Sequence, residues 1–328
     1  MALKVLYITM EFTNSFSGNG TASQSFVRSL IRLGHDVFLL CGRPHDRTDG
    51  LMEWASNLGP GKMSGRSIPV SVWNRLDMLS DWQGFAAGGD MALVQAVQRF
   101  GPSIIVGVDW SALDVYKAFG KWGLSADIPI IYYNYRVFHA NTGNTEEETR
   151  FYKERERAMC ALSAQGTVIC LCKADASSLR QLHDITPRIL LPALRDEVAC
   201  NAQKPVPSPP AKELLMCCVR LGPDKNTKAF VDVVEALGER FLQEHGLTPC
   251  LVGAASDPGY AAEVRAQLHR ACPSALQLDF VSADDLSALL RRSVLNFHPA
   301  LNEAYGMTIV EAAALGVPSL VDSGHMIE

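Results

Sequence analysis

Residues 296–321 read NFHPALNEAYGMTIVEAAALGVPSLV: an apolar run ending at Phe297, turn-formers at His298, Pro299 and Asn302, then an alanine-rich helical pattern from near Gly306 to Gly316, closed by Pro318. The order expected is strand, loop, helix, strand. Glu303 falls in the loop and Glu311 in the opening turns of the helix, with backbone amides between them. Unpaired N–H groups and the positive end of a helix dipole attract phosphate, a task no carboxylate performs. The two glutamates would instead accept hydrogen bonds from hydroxyls, one on a sugar beyond the outer phosphate and one on a ribose behind it. The pair therefore fits a sugar nucleotide. An isolated pair of glutamates is more often one loop charge and one exposed helix residue, so the surrounding residues decide.

Glu303, Tyr305, Gly306 and Glu311, followed by EAAALGVP, resemble the signature of the retaining, family-four (group 1) glycosyltransferases, in which two glutamates separated by seven residues flank a Phe/Tyr-Gly pair. The resemblance implies a GT-B architecture: an α/β protein of two Rossmann-like domains facing a central cleft. It also implies roles. Glu303 would contact the donor sugar near its reacting carbon, Gly306, Met307 and Thr308 would hold the donor diphosphate, Glu311 would bind the ribose, and Tyr305 would belong to the same donor site.

Length and composition are compatible with that picture. A chain of 328 residues is long enough for two domains, each with its own core, and 48% apolar with 20% charged residues is ordinary for a globular protein. A net charge of -5 argues against nucleic acid as the main partner. No apolar run reaches the roughly 18 residues of a membrane span, and the start MALKVLYITMEF enters a strand rather than a secretion signal. A cytoplasmic protein is expected, with peripheral membrane contact left open. The nine cysteines lack zinc-site spacing and read as reduced core residues, so neither a disulfide framework nor a metal site is expected.

Taken in order, KVLYITM, a loop EFTNSFSGNGTASQ, a helical SFVRSLIRLG and DVFLLC form a βαβ unit. Gly18 and Gly20 flank Asn19 at the strand-to-helix handover, where glycine lets backbone approach a ligand; a loop capped by Thr21 or Ser23 is the competing reading. The resemblance favours a donor-binding role for Gly18, Asn19 and Gly20. Residues 42–90, with Trp54, Trp73 and Trp82, combine loops with one or two short elements, and the tryptophans read as packing residues. After a helix MALVQAVQRF, the strand SIIVGVDW ends at Asp109, which suits either an acceptor hydroxyl or the cap of a helix starting near Ser111. The strand IPIIYYNYRVF follows. Many relatives carry a sugar-facing histidine where this chain has Tyr135, a departure for which Asn134, Arg136 and His139 are the candidate substitutes; a lone loop histidine such as His139 is more often solvated. TEEETRFYKERERAMCALSA reads as a helix with a solvated charged face, followed by the strand TVICLC and the helix KADASSLRQL.

Prolines at 187, 192, 205, 207, 209 and 210 mark the crossing between domains, placed at 1–186 and 187–328. The second domain repeats the pattern: strand ELLMCCVRL, loop GPDKN, helix TKAFVDVVEALGERFLQEH and strand TPCLVG. Arg220 and Lys225 flank a Gly-Pro turn at a strand's carboxyl end and suit a diphosphate, the first as a bidentate donor and the second as a point charge, although from these two alone ordinary surface charge is the better reading. The resemblance assigns them to the departing nucleoside diphosphate, and it brings the strand near Phe280 and Val281 close to the base. Relatives continue beyond Glu328, so the second domain reads as shortened. The function expected is retaining sugar transfer, catalysed by Glu303, Arg220 and Lys225 without cofactor or metal, from a UDP-, GDP- or ADP-sugar to an acceptor that meets Asp109, Asn134 and Tyr135. Two alternatives stand beside it: a sugar-nucleotide epimerase, and a non-catalytic sugar-nucleotide-binding or scaffold subunit.

Overall fold

The structure is a computed structural model that describes residues 2–12, 17–44, 51, 58–70, 78–88, 90–124, 127–141, 143–163, 167–205, 210–301, 303 and 305–322. It divides into two compact units, Met1–Ala193 and Leu194–Ile327. Residues 187–193 stay with the first unit, since the strand Arg188–Ile189 completes its sheet.

The first unit alternates strand and helix: β1 (Lys4–Thr9), α1 (Gly18–Arg32), β2 (Asp36–Pro44), β3 (Met63–Val70), α2 (Met78–Gly88), α3 (Met91–Phe100), β4 (Ile104–Val108), α4 (Ala112–Lys121), β5 (Ile130–Tyr133), α5 (Glu146–Leu162), β6 (Thr167–Cys170), α6 (Lys173–His183) and β7 (Arg188–Ile189). Among the described residues the sheet runs β3-β2-β1-β4-β5-β6-β7, with every pairing parallel. Apolar runs such as KVLYIT, buried at five of six positions, are what a parallel strand covered on both faces requires. Helix ends follow local chemistry. Asp90 caps α3 by accepting from the Leu93 amide at 3.0 Å, and Gly101, at φ 62°, ends it. Thr145 and Glu148 form a reciprocal capping box on α5.

Two helices depart from their sequence reading. α1 begins at Gly18, because Ser17 accepts the Gly20 amide at 2.9 Å; Gly18, Asn19 and Gly20 thus form a helical first turn rather than a preceding loop, and neither Thr21 nor Ser23 is the cap. α5 is not simply a solvated face: Glu156 is fully buried, and accepts from the Phe138 amide at 2.7 Å and from His139 Nδ1 at 2.5 Å, so His139 is paired rather than solvated. Trp82 packs as expected, fully buried with its indole N–H on the Ser111 carbonyl at 2.8 Å; Trp54 and Trp73 lie outside the described residues.

The second unit contains α7 (Asp196–Gln203), β8 (Leu214–Cys218), α8 (Thr227–Leu237), α9 (Glu239–Glu244), β9 (Thr248–Val252), α10 (Pro258–Ala271), β10 (Leu276–Leu278), α11 (Ala283–Arg291), β11 (Ser293–His298), α12 (Met307–Ala314) and β12 (Ser319–Val321). Its parallel sheet runs β10-β9-β8-β11-β12 among the described residues. The single helix expected over 227–245 is two, broken at Gly238, whose φ of 76° does not continue a helix. All nine cysteines are free and seven are buried, in line with their reading as core residues.

Beyond β9 the chain passes so close to the segment after β8 that a Cβ on Gly253 would lie 1.9 Å from the Val219 carbonyl oxygen. Gly253→Ala must push backbone aside, and is expected to cost about 3 kcal/mol. Urea unfolding should show the midpoint falling with an unchanged slope; an unchanged midpoint would mean that the two segments separate freely.

Candidate functional site

In each sheet two neighbouring strands feed crossovers that leave in opposite directions, β1 and β4 in the first and β8 and β11 in the second. At such a point the carboxyl ends of the strands are left unroofed, and ligands of open α/β sheets bind there. The sequence-predicted residues fall beside both points.

In the second unit, the chain leaving β8 turns through Pro223–Lys225, a single turn of 3-10 helix, while the chain leaving β11 crosses to α12. A hydrogen bond of 3.1 Å from the Leu301 amide to the Asp224 carbonyl joins the two segments. Their side chains meet at Glu303. Lys225 Nζ lies 2.9 Å and His298 Nε2 3.0 Å from the same oxygen, Oε2, and the Tyr305 amide reaches Oε1 at 3.4 Å. Burial pushes the Glu303 carboxyl up, but the hydrogen bond from His298 and the Lys225 charge outweigh it and hold the group well below the usual carboxylate range. Glu303 is therefore an anion, and His298 Nε2 must carry the proton it donates. His298 Nδ1 lies 3.1 Å from the Thr308 hydroxyl in the first turn of α12.

Gly306 starts that helix at φ 75°, and a Cβ there would sit 2.6 Å from the Ile309 side chain, so the position requires glycine on two counts. The amides of Met307 and Thr308 precede the first residues able to bond within the helix and face out along its axis. Arg220 sits 3.5 Å from Asp224, partly exposed, and its carbonyl accepts from the Thr227 hydroxyl at 3.5 Å.

Glu311 has a different environment. It is 1% exposed, and Arg195 Nε donates to it at 2.5 Å. Burial raises its carboxyl above the ordinary value and Arg195 only partly offsets that. The carboxylate expected to meet a ribose is thus covered by an arginine 116 residues earlier in the chain. Phe280 and Val281 follow β10 rather than forming it, and Phe280 is 64% exposed.

The first unit gathers a second group. Asp109 sits after β4 at φ 54°, 3% exposed, and accepts from Asn19 Nδ2 at 3.0 Å, the Tyr135 amide at 2.7 Å and the Arg136 amide at 3.4 Å. Burial drives its carboxyl well above the usual range, against the pull of the two amides and with help from Glu11. It does not cap α4, whose flanking Ser111 makes no side-chain cap bond. Asn134 is fully buried and donates to Tyr132 Oη at 2.8 Å and to the Arg136 carbonyl at 3.0 Å.

Residues in both groups were legible beforehand, apart from their anchors. In sequence His298 is a turn-former; its one further signal is a histidine ending an apolar strand five residues before a glutamate. Arg195, in the proline-rich crossing, had none. Asn302 and Ala304, on either side of Glu303, lie outside the described residues.

Because the Glu303 value in the folded protein is depressed, the stability it contributes is complete above its unfolded value of about 4.3 and is lost as pH falls below that value. Glu303→Gln should therefore cost about 2 kcal/mol at neutral pH, and the gap to the parent protein should narrow in urea unfolding as pH is lowered past about 4. A gap that stays constant with pH would show that the carboxylate's charge is not what Lys225 and His298 hold.

Residues 201–326 match the family described as "Glycosyl transferases group 1". No curated protein sequence is matched by the chain. Solved structures share its fold. HepE of Anabaena in complex with UDP and glucose superposes with a TM-score of 0.66 at 17% identity, over 97% of this chain and 80% of that one. Sucrose-phosphate synthase from Thermosynechococcus elongatus gives 0.73 at 14% identity, over 98% and 81%. The catalytic domain of starch synthase IV from Arabidopsis thaliana, bound to ADP and acarbose, gives 0.64 at 14% identity, over 98% and 83%.

Proposed function

We propose that this chain, in which a group 1 glycosyltransferase match covers most of the second unit and the GT-B fold spans both, transfers a hexose from a nucleoside diphosphate sugar to an acceptor hydroxyl, with retention at the anomeric carbon. The observation that carries this reading is the carboxylate of Glu303, mostly shielded from solvent, ionised and tied to Lys225 in the loop after β11, ahead of the N-terminus of α12.

In the step proposed, the bond from the anomeric carbon to the β-phosphate oxygen breaks as the acceptor oxygen bonds to that carbon. The acceptor's proton passes to the departing diphosphate. Charge on that diphosphate is met by Arg220, Lys225 and the amides of Met307 and Thr308, an electrostatic role requiring no metal ion. Glu303 orients the sugar and faces the positive charge that grows near its anomeric carbon, without forming a covalent bond. Asp109, Asn134 and Tyr135 are placed on the acceptor's side of this reading, with Gly18, Asn19 and Gly20 bordering the donor. Glu311 reaches a ribose only if Arg195 shares or vacates its carboxylate. A cytoplasmic setting is retained in the reading; among the described residues no helix is long and apolar enough to cross a membrane.

UDP-glucose is the first donor to try, because HepE was solved with it. A thermal-shift screen of UDP-, GDP- and ADP-glucose should give a rise for one base, reduced in Arg220→Ala, since only a ligand of the folded state raises its stability. Release of the nucleoside diphosphate should follow, and Glu303→Ala should slow it by about 10²–10³-fold. No shift and no release with any of the three would overturn the transferase reading, and an isomerised nucleotide sugar would replace it with an epimerase.

A further inference from the structure

His298 closes β11 opposite Val321 of β12 and is 3% exposed, so its imidazole is a buried polar group that must find partners. Its ring spans two groups from different segments. Nε2 lies 3.0 Å from Glu303 Oε2 and Nδ1 3.1 Å from Thr308 Oγ1. An ionised carboxylate only accepts, so Nε2 carries a proton toward Glu303, while Nδ1 shares a hydrogen bond with the Thr308 hydroxyl. Both bonds fix the ring's tautomer and its plane. Water is nearly excluded, which strengthens each of them.

Lys225 donates to that same Oε2. A single ammonium is a mobile point charge, and a diphosphate arriving at the turn after β8 competes for it directly. Whatever Lys225 gives to phosphate it withdraws from Glu303. The imidazole, held from behind by Thr308, has no such second claim.

We propose that His298 is a positioning residue for Glu303: it keeps the carboxylate ionised and aimed when Lys225 turns to the donor's diphosphate, and through Thr308 it links the sugar end of the site to the first turn of α12. The inference rests on the transferase reading above. Among the described residues, Lys225 bonds Glu303 from the segment after β8, which also carries the paired Arg220 and Asp224; the Tyr305 amide reaches Glu303 from the loop, and Thr308 is the polar neighbour of His298 from α12.

The test compares UDP release from UDP-glucose by the full chain with that by His298→Leu, His298→Gln and Thr308→Val, each across about pH 3 to 8. His298→Leu should lose about 30-fold in kcat, with KM changed by less than about threefold. Its activity should also begin to fall at a higher pH on the acid side, by about one unit, because Glu303 protonates more readily without the ring. His298→Gln, which restores an N–H donor, should recover most of kcat. Thr308→Val keeps its backbone amide but frees the ring, and should show a smaller loss with a smaller displacement of the acid limb in the same direction; it carries the test should His298→Leu fail to fold. ¹⁵N shifts of the His298 ring should report the proton on Nε2. Wild-type kcat and acid limb in both His298→Leu and Thr308→Val, or a proton on Nδ1 alone, would overturn the positioning role while leaving the transferase reading intact. A parent protein that neither binds nor cleaves any of the three nucleotide sugars would overturn the transferase reading itself, and the role of His298 with it.

Discussion

Much of the second unit depends on one carboxylate oxygen. Parallel order places β8 beside β11, and the chain leaves these neighbours in opposite directions, so 78 residues of sequence separate Lys225 from the glutamate it meets. Nothing in the sheet's own hydrogen bonding holds the two departing segments together beyond their last paired residues. The Leu301 amide on the Asp224 carbonyl and the double contact on Glu303 Oε2 do so, one by backbone and one by charge. A buried anion with a single partner would be a liability; two donors on one oxygen make it an anchor.

The two glutamates of the signature show how strongly surroundings decide what a carboxylate is. Glu303 and Glu311 are eight positions apart and both mostly out of solvent. One is held below the usual range because a cation and a ring N–H converge on it. In the other, burial outweighs the single arginine partner and the shift has the opposite sign. The same residue type in one short motif thus offers a fixed charge at one end and a more readily protonated group at the other. Asp109 repeats the second case in the first unit, where amide donors alone do not offset burial.

What the sequence disclosed was local. The helix Met91–Phe100 carries its own cap, its own stop and a clean apolar stripe, and both ends were read correctly. The signature around Gly306 was equally self-contained. Where the reading fell short, the deciding contacts came from elsewhere in the chain. α1 starts at Gly18 because one of several serines and asparagines in that stretch, Ser17, happens to be the cap. β3 contains Gly65 and Pro69, residues that usually argue against a strand; it lies at the sheet edge, where proline is tolerated, and Gly65 lets it close on Leu39. Glu156 looks like one charge among many on α5 until the loop after β5 folds over it. Arg195 and Glu311 share no sequence proximity at all. The repeat of strand order between the two sheets is likewise invisible in residue identities and evident only in topology.

The distribution of thiols gives the protein an experimental handle. Burial, foremost, pushes the cysteine thiols to about 11 at Cys170 and Cys250 and to about 12 at Cys160, Cys172 and Cys218, so they resist alkylation under conditions gentle to the fold. Cys200 alone among the nine is exposed, on the helix that begins one residue after Arg195. A maleimide fluorophore would therefore attach at one place without any cysteine being engineered out, and its emission would report on the stretch of chain whose arginine covers Glu311.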